Sequence, residues 1–181
     1  MRSNVFWVPG PWQGRLGIVL RPRGGDWLAD ETQSWREAGI DHVISLLERD
    51  EEAQLHLEGE RAAAVAHGVE FTSFPVPDRG VPTSYASAAQ LVRRVVGALD
   101  RGRTVVVHCR QGIGRSALIV GAVLVAEGEE VQTALKAIQK SRGLEVPETD
   151  EQRQWLCDFA ARVVSEPAAQ PRAAPDGRKR A

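Results

Sequence analysis

Thr104-Val105-Val106-Val107-His108-Cys109-Arg110-Gln111-Gly112-Ile113-Gly114-Arg115-Ser116 is the stretch that decides the fold. Its first four residues are all β-branched, which suits a buried strand. The run from Ser116 to Ala126 is apolar nearly all round, which suits a helix packed between a sheet and other helices. Between the two lies a turn with two glycines, at Gly112 and Gly114. Such a junction lets backbone N–H groups curl inward, and the helix N-terminus adds to their positive field.

That nest suits a phosphoryl group, whose peripheral oxygens need several donors at once. The same surroundings favour thiolate over thiol at Cys109. Arg115 adds a planar fork that can hold two phosphoryl oxygens while the geometry at phosphorus changes. Ser116 can hydrogen-bond the sulfur as it departs from a phosphorylated intermediate. His108, directly before the cysteine, is expected to orient the loop rather than to take a substrate proton. A lone cysteine at a strand end is usually packing, and a glycine before a helix is usually only a turn. Here the conjunction decides: five residues separate Cys109 from Arg115, the glycines lie among them, and Ser116 follows. The Gly-Lys-Ser/Thr ending of a Walker A loop is absent.

Outward from this core, short apolar runs alternate with helical patterns, which predicts an α/β domain. Leu16 to Leu20, Val43 to Leu47 and Val69 to Phe74 read as strands. Asp30 or Thr32 is a cap for a short helix carrying Trp35 and closed at Gly39. Residues 51–67 have a helical composition, with Leu55, Ala62 and Val65 as expected core contacts and Gly68 as the stop. The acidic run Glu48 to Glu52 reads as a solvated loop. From Thr83 or Ser84 an amphipathic helix aligns Leu91, Val92, Val95, Val96 and Leu99, and Val131 to Ile138 is a further helix. Thr149 with Gln152 makes a capping box for a last helix with Trp155, Leu156, Phe159 and Val163 on one face.

With 181 residues, 43% hydrophobic and 26% charged, the chain suits one sizeable core rather than two. A net charge of -1 gives no support for a nucleic-acid partner. No stretch approaches 18 uninterrupted apolar residues, so no membrane span is expected. Met1 to Gly10 lacks the apolar run of a signal peptide. The two cysteines, Cys109 and Cys157, do not suggest a disulfide scaffold, so the chain is expected in the cytoplasm, where a thiol stays reduced. Cys157 falls off the apolar stripe of its helix. His42, His56 and His67 are scattered and lack metal-ligand spacing, so neither a metal nor another cofactor is expected.

His108-Cys109, five residues, Arg115 and Ser116 resemble the signature of the protein tyrosine phosphatase superfamily, and the chain length resembles its dual-specificity branch. The resemblance covers roughly residues 14–164 and is strongest from Val69 to Leu124. It implies a single three-layer α/β/α domain around a mainly parallel sheet, with 1–13 as an N-terminal extension. From Glu166 onward, three prolines, alanines and the basic Arg178-Lys179-Arg180 end suggest a disordered tail over 165–181. The resemblance also implies that Cys109 attacks phosphorus to give a phosphocysteine. Arg115 and the loop Arg110, Gln111, Gly112, Ile113 and Gly114 then bind the oxygens, and Asp78 serves as general acid. Asp78 suits that place on its own residues, in Pro75-Val76-Pro77-Asp78-Arg79-Gly80 just past a strand end, where parallel sheets build their sites.

The stretch from Ala137 through Arg142-Gly143 and Thr149 to Gln152 is similar to the cyclin-dependent-kinase-associated phosphatase branch, in which a polar residue can help bind the anion or place water. Arg142 and Gln152 are therefore secondary candidates, beside their plainer readings as a solvated charge and a helix cap. Gln111 stands where that family often has a small residue. The loop has no lysine, which phosphoinositide-directed relatives often carry. The expected substrate is phosphotyrosine in a protein or peptide, with phosphoserine and phosphothreonine as further substrates. The nest reads the phosphate rather than its carrier, so a small metabolite, an inositide or an RNA 5′ end stays open. A phosphoresidue-binding module without turnover would more naturally lack Cys109 or Asp78.

Overall fold

The computed structural model describes residues 4–165. Its strands are β1 (Val5–Val8), β2 (Arg15–Val19), β3 (His42–Ser45), β4 (Glu70–Ser73) and β5 (Thr104–His108). They form one sheet in the order β1-β2-β5-β3-β4, with only β1 antiparallel to its neighbour. Helices α1 (Leu28–Glu37) and α3 (Glu60–Ala66) cover one face, and the short α2 (Arg49–Gln54) follows β3. On the other face lie α4 (Tyr85–Asp100), α5 (Gly114–Ala126), α6 (Val131–Arg142) and α7 (Asp150–Ser165). This is a three-layer α/β/α arrangement around a mixed, mainly parallel sheet.

β5 is central and buried along its whole length. Alternation along it sends Val105, Val107 and Cys109 into the larger core with α4 and α5. It sends Val106 and His108 the other way, toward Trp35. α5 packs against β2, β5 and three neighbouring helices, which is why its sequence has no polar face: Gly114 through Val125 are all buried. Ser84 caps α4, its Oγ accepting from the Ser87 N–H at 3.2 Å. Because β2, β3, β4 and β5 run parallel, the loops after β3, β4 and β5 share one edge of the sheet.

Two expectations need correction. The segment read as an N-terminal extension contributes β1, whose Val5–Val8 pairs with β2 from Val19 back to Leu16. Four residues ending at Pro9-Gly10 are too few to show a period, and β1 is only half-buried at the sheet edge. Residues 51–67 are not one helix: the chain breaks between α2 and α3, with His56 at φ 53°. The break shifts the helical phase, so Ala64 and Leu57 are buried while Val65 is 59% exposed. Beyond the end of α7, the tail with Arg178-Lys179-Arg180 lies outside the described residues. No helix among the described residues is long and apolar enough to cross a membrane.

Candidate active site

The loop from Cys109 to Gly114 leaves β5 at the carboxyl edge and enters α5 directly. Gly112 adopts φ 66°, a conformation that side-chain-bearing residues rarely take, and a Cβ there would lie 3.1 Å from Ile18. At Gly114 a Cβ would come within about 3 Å of the Gln152 amide and of Glu148. The first glycine sets the turn and the second allows α7 to close on the loop. The Gly112 N–H donates to Cys109 Sγ at 3.2 Å, so one amide of the nest faces the sulfur. Cys109 is only 3% exposed, but it lines a cavity of about 210 Å3 shared with Asp78, Arg79, Arg110, Arg115 and Glu148.

Arg115 is buried, and both of its terminal nitrogens meet acceptors. Its Nη1 donates to Glu51 Oε2 at 2.6 Å, to the Val76 carbonyl at 3.0 Å and to the Leu46 carbonyl at 3.4 Å. Its Nη2 donates to Glu51 Oε1 at 2.8 Å and to Asp78 Oδ1 at 3.0 Å. Loops after β3, β4 and β5 thus meet on one guanidinium. Burial disfavours its charge, but the Glu51 hydrogen bonds and the charges of Cys109, Glu51 and Asp78 prevail and push its pKa up. Burial would also raise Glu51, yet the Arg115 hydrogen bond, the Glu48 N–H at 3.1 Å and the Arg115 and Arg110 charges hold its carboxyl below the usual range.

Glu51 was hidden in the acidic run that reads as a solvated loop; the run instead opens α2, with Glu48 as its cap, and turns Glu51 inward at 6% exposure. A signal was available. A buried arginine needs a carboxylate, and the acids after β3 fall on the same sheet edge as the Cys109 loop. Asp78 itself is exposed on its loop, with its carboxylate turned to Arg115.

Other expected residues divide clearly. Arg110 is an exposed rim residue, its Nη1 donating to Gln54 Oε1 at 3.3 Å, and Gln111 is exposed beside it. Ser116 Oγ, at the start of α5, is fully buried and has no hydrogen-bond partner, so its hydroxyl stays available for the departing sulfur. Arg142 is not a solvated charge, nor does it line the cavity. Its Nε donates to the Gly112 carbonyl at 2.8 Å and its Nη2 to the Gln111 carbonyl at 3.4 Å, while its guanidinium stacks 3.9 Å from the Phe6 ring of β1. It braces the loop by its carbonyls. Burial lowers its pKa against the opposing pull of Cys109.

Gln152 does cap α7, as Thr149 Oγ1 accepts from the Gln152 N–H at 3.2 Å and Gln152 Oε1 accepts from the Thr149 N–H at 3.3 Å. It does more: fully buried, it donates from Nε2 to the Gly80 carbonyl at 3.0 Å and so ties the Asp78 loop to α7. His108 pairs with Glu60 in the core at 2.7 Å. Among the described residues no three His, Cys, Asp or Glu side chains gather as metal ligands would.

This strand, loop and buried helix, with the fold around them, are those of the cysteine-based protein tyrosine phosphatase superfamily, in its dual-specificity branch. The family model described as "Polymorphic toxin system, DSP-PTPase phosphatase" matches residues 18–129, more than half of the chain, and the chain belongs to that family.

Among curated proteins, cyclin-dependent kinase inhibitor 3 of Sus scrofa is 24% identical over 137 residues, and that of Rattus norvegicus 23%. The match covers 75% of this chain and 64% of each relative, so the chain spans under two thirds of their length. Among solved structures, kinase associated phosphatase with its catalytic-site cysteine replaced by serine superposes with a TM-score of 0.80 at 17% identity, covering 91% of this chain and 98% of that one. Tk-PTP in its active form gives 0.73 at 25% identity, covering 90% and 99%. PTPMT1 in complex with PI(5)P gives 0.70 at 22% identity, covering 84% and 93%.

Proposed function

We propose that this protein hydrolyses phosphotyrosine, and also phosphoserine and phosphothreonine, in proteins or peptides through a phosphocysteine intermediate. The observation that carries this reading is the convergence of Cys109, Arg115 and Asp78 on one small cavity, with the Gly112 N–H at the sulfur. Cys109 Sγ attacks phosphorus, the bond from phosphorus to the ester oxygen breaks, and Asp78 gives that oxygen a proton. Arg115 and the amides of residues 110–115 hold the remaining oxygens. To do so Arg115 exchanges its Asp78 contact for a phosphoryl oxygen, which frees the Asp78 side chain to reach the leaving group. Water then attacks phosphorus and passes its proton to Asp78, and the sulfur–phosphorus bond breaks to restore the thiolate. The lysine-free loop favours a protein substrate over a phosphoinositide.

A turnover panel with phosphotyrosyl and phosphoseryl peptides, a soluble phosphoinositide and an RNA 5′-phosphate tests the substrate class. Phosphotyrosyl peptide is expected to give the highest kcat/KM. A dominant rate on the inositide or the RNA would overturn the protein-substrate reading while leaving the chemistry intact. Cys109→Ser should stay folded and release no phosphate.

A further inference from the structure

His108 and Cys109 are neighbours in sequence that face opposite sides of the sheet. While Cys109 opens into the cavity, the His108 imidazole is turned into the core under α3, with its ring 6.3 Å from that of Trp35. There its Nε2 lies 2.7 Å from Glu60 Oε1, and the two side chains are 0% and 1% exposed. The contact lies off the direction of a good hydrogen bond: neither ring nitrogen and neither carboxyl oxygen has a well-directed partner. Glu52 is the next acid nearby, raised by burial and then by the charge of Glu60.

A glutamate is almost never this deeply buried unless paired. A buried ion pair is also no bargain for stability, since a well-packed apolar pair of similar volume does as well or better. Stability therefore does not explain why a carboxylate sits here. Its location does offer a reason. His108 is the last residue of β5, and its side chain reaches, from the far face of the sheet, the point where the chain turns into the Cys109 loop. The other anchors grip elsewhere: Glu51 holds Arg115, and Arg142 holds the Gln111 and Gly112 carbonyls.

We infer that Glu60 is a positioning residue for Cys109: by holding the His108 imidazole at the end of β5, it fixes where the sulfur sits relative to a phosphoryl group bound by Arg115 and the loop. The inference rests on Cys109 being the nucleophile. It separates binding from attack, because oxyanion binding has its own supports in Glu51 and Arg142. Loss of Glu60 should slow sulfur attack and leave anion binding nearly intact.

Rapid-mixing kinetics with an aryl phosphate reads both quantities. The burst amplitude counts intact sites, the burst rate constant reports attack by sulfur, and the Ki of inorganic phosphate reports binding. Glu60→Gln should lower the burst rate constant about tenfold or more, since small misplacements of reacting atoms are costly, with Ki changed less than twofold. A merely structural role would lower the melting temperature and the amplitude and leave the rate constant alone; that result overturns the inference. His108→Gln and the double variant provide the second arm, which also serves if Glu60→Gln folds poorly. If Glu60 acts through His108, adding Glu60→Gln or Glu60→Leu to His108→Gln slows the burst no further. Additive losses would overturn the inference as well. Cys109→Ser stands apart from all of these, because it should abolish the burst entirely; a burst in that variant would instead refute the nucleophile.

Discussion

Replacing Glu51 by glutamine probes the clamp on Arg115. The substitution keeps the size of the side chain, removes its charge and turns one of two acceptors into an N–H2 donor facing a donor. Both partners are buried, at 2% and 8% side-chain exposure, so solvent does little to screen the loss. Removing one partner of a buried ion pair costs about 3–5 kcal/mol. Glu51→Gln belongs at the low end, since Asp78 and the Leu46 and Val76 carbonyls still accept from the same guanidinium. A loss of about 3 kcal/mol in a domain of this size lowers Tm by about 6–12 °C. The unclamped fork should also lower kcat/KM about 100-fold, the scale on which misplaced catalytic groups lose rate.

A phosphate or tungstate dianion binds the same guanidinium and supplies some of the missing negative charge. It should therefore raise the Tm of Glu51→Gln more than that of the unaltered protein, at concentrations that saturate both. Differential scanning fluorimetry with and without the anion, beside steady-state kinetics, measures all three effects. A Tm within about 1 °C of the parent together with kcat/KM within about twofold would refute the reasoning. It would mean that the carbonyls and Asp78 suffice to hold Arg115.

Asp78→Asn should slow an alkyl or weakly acidic aryl phosphate by about 10²–10⁴-fold and an activated aryl phosphate far less; equal losses on both would make Asp78 a structural loop residue. Peroxide should inactivate the enzyme reversibly, with a sulfenic-acid trap marking Cys109 before Cys157 although Cys157 is the exposed thiol; first labelling at Cys157 would show that the nest does not activate the sulfur. The acid response follows from Glu51, whose folded carboxyl lies below its ordinary value. Its contribution to stability is fully present above the unfolded value of about 4.3 and is lost as pH falls through the lower folded value. Denaturant midpoints of Glu51→Gln and the unaltered protein should therefore converge as pH drops below about 4, and a constant gap down to pH 2 would contradict the pairing.

What the sequence made legible is set by which residues carry their partners beside them. The β5–loop–α5 unit is local: a β-branched strand, two glycines and an all-apolar helix announce strand, turn and burial within about two dozen residues. Asp78 was placed by a strand end and two prolines. The cap of α7 was equally local, because Thr149 and Gln152 satisfy each other across one turn. What Gln152 does with its remaining N–H2 was not, since the Gly80 carbonyl arrives from 72 positions away.

Charge in the interior shows the same limit more sharply. Composition alone cannot say which of several consecutive acids turns inward, and Glu51 differs from Asp50 only by the register of α2 on the end of β3. Glu60 was concealed by a phase error: reading 51–67 as one helix places Val65 inside, whereas the break at His56 rotates α3 so that Glu60 and Ala64, one turn apart, face the core. A carboxylate on an apolar stripe is a conspicuous feature once that stripe is drawn correctly. The backbone break is the harder inference. It depends on Gly24 packing against the Leu55 and His56 carbonyls, with a donation from the Gly25 N–H to His56 O at 2.9 Å, and so on a loop about thirty residues upstream that sequence periodicity cannot see.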